Sequence, residues 1–143
     1  MSKGDTFEND LLKLIFNATA IANLADNAAS APITNLFIAL HTADPGEAGV
    51  QTTSEAAYTG YGRMPLARTT GGWTVTANSV SPVADVVFGN CTASPGAAIT
   101  HASVGTLTSG AGKVLYKGAL SASITMAINV QPVITAGSTI TED

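Results

Sequence analysis

Three side chains in this 143-residue chain have the pKa or nucleophilicity that acid–base or covalent chemistry near neutral pH usually needs: His41, Cys91 and His101. Cys91 with His101 would make a nucleophile and its base if the fold brought them together. Sequence spacing does not show that it does, and a small thiol packed as a hydrophobe beside a loop is the simpler reading. His41 precedes Asp44 at the end of an expected strand, where imidazole and carboxylate would close the strand end with a hydrogen bond. A single cysteine excludes an intrachain disulfide framework and any multi-cysteine zinc site. Asp44, Glu47 and Glu55 share one long loop, and Glu142 and Asp143 stand together further on. None shows the alternating Asp/Asn spacing of a calcium loop, so they read as solvated turn carboxylates. Gly-x-Ser-x-Gly, His-Glu-x-x-His, P-loop and Gly-x-Gly-x-x-Gly patterns do not occur. No catalytic residue, metal ligand or cofactor is assigned, and the expectation is a protein that is not an enzyme.

The most suggestive group is aromatic and basic. Tyr58, Tyr61, Arg63, Arg68 and Trp73 fall within 16 residues, and Tyr, Trp and Arg are the types enriched at protein–protein hot spots. The competing reading makes Trp73 and Tyr61 core residues, with arginine stems lying alongside them. These five are the candidate interface residues.

Composition narrows the partners. Only 11% of residues are charged, against about 25% in a typical globular chain. Ala, Thr, Ser and Gly supply 68 of the 143. Six basic residues and a net charge of −4 argue against nucleic-acid binding by phosphate neutralisation. Apolar stretches fall short of the roughly 20 residues of a membrane helix, so no membrane partner is expected. Met1-Ser2-Lys3-Gly4-Asp5 opens without an apolar run, so the expectation is synthesis in a cytoplasm. So little surface charge suits a chain whose surface is occupied by other subunits.

The elements that would position these residues fall into two parts. Asp5 and Glu8 resemble a capping box and place negative charge at a helix start. Phe7, Leu11, Leu14, Ile15, Ala18, Ile21, Ala22 and Ala25 then recur at helical spacing, with stop signals at Asp26-Asn27 and Pro32. A break near Asn17-Ala18-Thr19 would divide this stretch. Residues 1–31 are therefore read as a helical segment packed on a β body of residues 32–143, forming one domain overall. In the body, the nearly continuous apolar run Asn35–Thr42 predicts a strand buried on both faces. Asp44-Pro45-Gly46-Glu47 opens a long loop to Gly60. Further strands are expected over 61–68, 73–77, 83–88, 97–107, 113–117, 124–128, 130–134 and 138–141. About nine short strands with turns every 8–12 residues predict a mainly β fold, an antiparallel β-sandwich or jelly-roll-like domain with an N-terminal amphipathic helix.

Longer motifs add a resemblance. Leu36-Phe-Ile-Ala-Leu-His-Thr-Ala-Asp-Pro-Gly-Glu-Ala-Gly49, Gln51-Thr-Thr-Ser-Glu55 and Tyr58-Thr-Gly-Tyr-Gly-Arg63 resemble a family of small structural proteins of tailed bacteriophages. The helical start (Leu11–Ala29), Gly71-Gly72-Trp73 and Gly110-Ala-Gly-Lys-Val-Leu-Tyr116 resemble the same family, whose members are labelled tail-fibre or virion structural proteins. The resemblance implies a virion component made in the host cytoplasm, with other virion proteins (the major capsid protein or tail proteins) as partners. Nothing here repeats or forms heptads as a long fibre would. The expectation is therefore a capsid decoration (cement) subunit stabilising the assembled shell, self-associating as a trimer or dimer. The alternative is a tail-fibre or tail-adaptor domain involved in host attachment.

Overall fold

The computed structural model of the chain describes residues 5–21, 25 and 32–142. Helix α1 (Asp5–Asn17) is followed by β1 (Asn35–His41), β2 (Met64–Ala67), β3 (Trp73–Thr76), β4 (Ser79–Pro82), β5 (Val86–Val87), β6 (Ile99–Gly105), β7 (Val114–Ile124), β8 (Val133–Ile134) and β9 (Ile140–Thr141). The pairings β1–β6, β6–β7, β3–β4, β4–β9 and β5–β8 are all antiparallel. The fold is mainly β with one N-terminal helix, as the strand spacing predicts. By internal contacts the chain forms two compact units, one of Met1–Asn35, Leu66–Asp85 and Thr135–Asp143, the other of Leu36–Pro65 and Val86–Ile134.

In the first unit, Asp5 and Glu8 sit in the first turn of α1, at the positive end of the helix dipole. Leu12 and Phe16, four residues apart on one face, are fully buried, and Phe16 meets Trp73 of β3 edge-to-face at 4.7 Å. The helix stops where Ala18 takes a left-handed φ of 54°, and the N–H of Thr19 turns back to the carbonyl of Lys13 at 3.1 Å. The helical stripe expected to run on to Ile21 and Ala25 therefore ends early. Those two residues instead exchange backbone hydrogen bonds as an antiparallel bridge, 2.8 Å each way. Ala22 and the stop signal at Asp26-Asn27 lie outside the described residues.

The three-stranded sheet of this unit has the order β3-β4-β9. Its central strand, Ser79–Pro82, is absent from the expectations; the strand expected over 83–88 is the short β5, Val86–Val87, which belongs to the second unit. Thr76 pairs with Ser79, so β3 and β4 join through the two residues Ala77 and Asn78. Ala77 adopts φ 52°, a conformation usually signalled by Gly or Asn, which is why the turn is invisible in the sequence.

In the second unit, β1 pairs with β6 from Phe37↔Gly105 to His41↔His101, and β6 pairs in turn with β7. Leu36, Ile38, Ala39, Leu40 and His41 are all buried, as the continuous apolar run predicts. Strand β7 runs through residues expected to separate two strands, with register shifts against β6 that let its longer path fit the shorter neighbour. The long connection after β1 is tied back at both ends, from Thr42 N–H to Ser54 C=O and from Ala56 N–H to Leu40 C=O, each 2.8 Å.

Candidate functional site

The second unit concentrates its buried polar side chains beside one turn. Arg63 is buried, and Glu55 holds it with a bidentate pair, Nε to Oε1 at 2.7 Å and Nη2 to Oε2 at 2.8 Å. Its remaining donors reach the turn between β6 and β7, Nη1 to the Leu107 carbonyl at 2.9 Å and Nη2 to the Gly110 carbonyl at 2.8 Å. Tyr61 completes the cluster, its hydroxyl donating to Glu55 Oε1 at 2.9 Å and accepting from the Leu40 N–H at 3.1 Å. Hydrogen bonding and attraction from Glu55 hold the Arg63 guanidinium above its usual range, and burial drives the Tyr61 hydroxyl strongly upward. Both shifts favour a charged guanidinium and a neutral phenol in the cluster.

Gln51 supports the same turn from the other side. It is fully buried. Its Oε1 accepts from the N–H groups of Thr106 (3.0 Å) and Leu107 (2.9 Å), its Nε2 donates to the Leu107 carbonyl (3.3 Å), and its backbone N–H bonds the Gly112 carbonyl (2.8 Å). Gly105 and Gly112 are needed here for space, because a Cβ at either would collide with the Gln51 side chain. The turn Leu107–Ala111 is itself exposed.

Neighbouring polar groups are also committed. His41 is fully buried; its Nδ1 donates to the Thr53 carbonyl at 2.9 Å, and its Nε2 accepts from the Ser103 hydroxyl at 2.7 Å. Burial lowers its pKa below the ordinary histidine value, against the opposing pull of the Thr53 carbonyl and Glu55. Lys117 bridges Asp44 and Glu47, each at 3.0 Å. Asp44 also caps its own turn by accepting from the Gly46 N–H at 2.8 Å.

Two expectations change on this geometry. His41 and Asp44 do not bond each other, since each finds its partners elsewhere. Glu55 is not a solvated turn carboxylate: its side chain is 17% exposed and its oxygens face Arg63 and Tyr61. Cys91 donates to the Ala93 carbonyl and His101 Nδ1 bonds the Thr100 hydroxyl, so the two make these hydrogen bonds away from each other. Among the described residues no group of three His, Cys, Asp or Glu side chains is placed to hold a metal ion. No helix among them is long and apolar enough to cross a membrane.

The five candidate interface residues separate. Tyr58, Tyr61 and Arg63 belong to the second unit. There Tyr58 is buried, donates to the Gly89 carbonyl at 2.9 Å and meets Tyr61 edge-to-face at 5.4 Å, while Tyr61 stacks on Phe88 at 6.3 Å. Arg68 and Trp73 belong to the first. Trp73 is buried on Phe16, and Arg68 donates to the carbonyls of Ile15 (2.6 Å), Leu14 (2.8 Å) and Ile33 (2.8 Å), the first two at the C-terminal end of α1. Gln51 was not among the expected residues. A lone Gln in a Thr- and Ser-rich loop gives no sequence signal of its own.

No curated protein matches the chain. A family model does, over residues 3–142, described as Podophage GP4 fiber I protein gp80. The chain belongs to that family of tailed-phage fibre proteins.

Proposed function

We propose that this member of the podophage fibre family is a non-enzymatic structural protein of the virion, working as a tail-fibre or fibre-attached domain and not as a capsid decoration subunit. The observation that carries this reading is the family match across residues 3–142. It favours the tail over the shell, where the absence of repeats and heptads had pointed. Its partners would be other tail proteins and further copies of the same chain, in a trimer or dimer. The low charge fits subunit contacts on that account. The polar clusters support a structural role: Arg63, Glu55, Gln51, His41 and Tyr61 use their donors and acceptors on backbone, on each other and, for His41, on the Ser103 hydroxyl.

Labelling purified particles with an antibody to this chain and imaging them tests the reading. Label confined to the tail, at a low copy number per particle, is the expected result. Label spread over the shell at hundreds of copies would return the protein to the capsid, and no label on purified particles would remove it from the virion.

A further inference from the structure

We propose that Gln51–Glu55 is an acid-released latch: proton uptake by the buried His41 frees this segment and, with it, the exposed turn Leu107–Ala111 that the segment holds. The inference goes beyond the fibre reading and does not depend on it.

The first ground is what the segment holds. It is tied down by Thr42 N–H to the Ser54 carbonyl and Ala56 N–H to the Leu40 carbonyl, and Glu55 bridges to His41. Two of its side chains act on the β6–β7 turn. Gln51 accepts from the N–H groups of Thr106 and Leu107. Glu55 fixes Arg63, whose other donors hold the carbonyls of Leu107 and Gly110. Lifting the segment therefore removes both supports of the turn at once.

The second ground is where His41 stands. It is fully buried between His101, its register partner on β6, and Glu55, its bridge partner on the other side. Its Nδ1–H donates to the Thr53 carbonyl, which leaves Nε2 to accept from the Ser103 hydroxyl. A proton on Nε2 makes both nitrogens donors. The Ser103 hydroxyl must then turn to accept, and its own hydrogen loses that acceptor. Glu55 attracts the cation, while Arg63 and His101 oppose it. Glu55 is already committed to Arg63 and to the Tyr61 hydroxyl. Burial outweighs the pull of Thr53 and Glu55 and holds the imidazole below its ordinary range, so the cation is better served where water reaches it.

The third ground is which wall can move. On one side β1 and β6 pair without interruption from Phe37↔Gly105 to His41↔His101, so admitting water there means unzipping the sheet. On the other side the segment is irregular. Ser54, between Thr53 and Glu55, takes a left-handed φ of 52°, a conformation that disfavours a serine and that release of the segment relieves. Acid acts elsewhere in this loop only at lower pH: Gly46 N–H and Lys117 hold the Asp44 carboxyl below its ordinary 3.8.

The test is amide hydrogen exchange of the full chain at pH 7.5, 6.5 and 5.5, corrected for intrinsic rates. The open segment leaves His41 an ordinary imidazole of pKa about 6.5, and the closed one binds the proton more weakly, so opening gains as pH falls below about 6.5. Protection at Gln51, Ala56, Thr106 and Leu107 should fall about three- to tenfold from pH 7.5 to 5.5 and stay below that of β1 and β6 throughout. His41→Asn should abolish the fall, and His101→Gln should retain it. Protection that does not change with pH overturns the inference. So does protection equal to that of β1 and β6 at every pH, which would make the opening global. Persistence of the fall in His41→Asn, or its loss in His101→Gln, overturns it by moving the sensor. If His41→Asn does not fold, the imidazole 15N shifts of the wild type decide: a His41 titration that coincides with the loss of protection supports the latch, and one that does not coincide overturns it.

Discussion

Arg63 and Arg68 stand five residues apart in one aromatic and basic cluster, yet they serve different units in different ways. Arg63 is an ion-paired clamp: a carboxylate fixes its guanidinium, and its free donors hold an exposed turn. The donors of Arg68 all go to backbone carbonyls, two of them at the end of α1, where the helix has no basic residue of its own in its last turn. It supplies from β-rich sequence the positive charge and the donors that the negative end of the helix lacks. The units differ in the same sense. The first is held by Trp73, Phe16 and Leu12, and among its described residues two buried polar atoms, Trp73 Nε1 and Asn17 Oδ1, have no hydrogen-bond partner. Among the described residues the second leaves none. Equal residue types thus do apolar-face work in one unit and polar-network work in the other.

The largest effect should come from the apolar side. Trp73→Ala removes the ring that Phe16 packs on and should cost about 3–5 kcal/mol of unfolding free energy, read from denaturant midpoints. Trp73→Phe also removes the unpartnered Nε1–H, and should lose distinctly less. Equal losses for the two variants would mean that ring packing does not dominate the first unit.

The polar side should follow. Removing either partner of the Glu55–Arg63 pair strands the other. Arg63→Met or Glu55→Gln should cost about 2–3 kcal/mol, less than a wholly buried pair because Glu55 keeps some contact with water. The double variant Glu55→Met/Arg63→Met should recover part of that loss, with a coupling energy above about 1 kcal/mol in a double-mutant cycle. Hydrogen exchange at Leu107–Ala111 should quicken in every variant that lacks Arg63. Unchanged exchange there would break the assignment of Arg63 as the clamp of the turn.

Arg68→Met tests the other arginine. Ile33 and the helix-end carbonyls can turn partly to water, so the expected cost is about 1–2 kcal/mol, with a small loss of helical circular dichroism as the last turn of α1 frays. A loss as large as that for Arg63→Met would erase the distinction between a cap and a clamp.

How far these roles were legible depends on what kind of signal carried them. Strand β1 could be read because a continuous apolar run has one outcome when both faces are buried. The start of α1 could be read from Asp5 and Glu8, but its buried face could not. The expected stripe runs through Phe7, Leu11, Leu14 and Ile15, whereas Leu12 and Phe16 are the buried pair and Phe7 is 40% exposed. For the end of α1 the sequence offers both a break near Asn17-Ala18-Thr19 and a stripe running on to Ala25. The helix stops at the break, where Ala18 adopts a left-handed conformation that alanine does not advertise, and Ala77 hid the β3–β4 turn for the same reason. The aromatic and arginine cluster was visible as residue types within 16 positions. Its division between two units was not, since partners such as Ile15 for Arg68 and Leu107 for Arg63 lie 53 and 44 residues away. Gln51 was silent because its partners are the backbone of a distant turn.

The smallest expected effect is a slope, and it tests whether the polar interior of the second unit makes it the acid-sensitive one. His41 is held neutral, with its proton on Nδ1 facing Thr53 and its Nε2 accepting from Ser103. Glu55 favours its cation, while burial, Arg63 and His101 oppose it. Its folded pKa therefore lies below the unfolded value of about 6.5. Between those two values the unfolded chain binds the proton more readily, so the stability His41 contributes is present above about pH 6.5 and is lost as pH falls toward the folded pKa. Unfolding free energies from urea titrations at pH 7.5, 6.5 and 5.5 should decline for the wild type. His41→Asn keeps a donor toward Thr53 but cannot titrate, so it should start lower at pH 7.5, having lost the acceptor for Ser103, and decline less. Parallel slopes for the two proteins would show that His41 does not set the acid response, and would turn attention to Asp44, whose carboxyl the Gly46 N–H and Lys117 hold below its usual range.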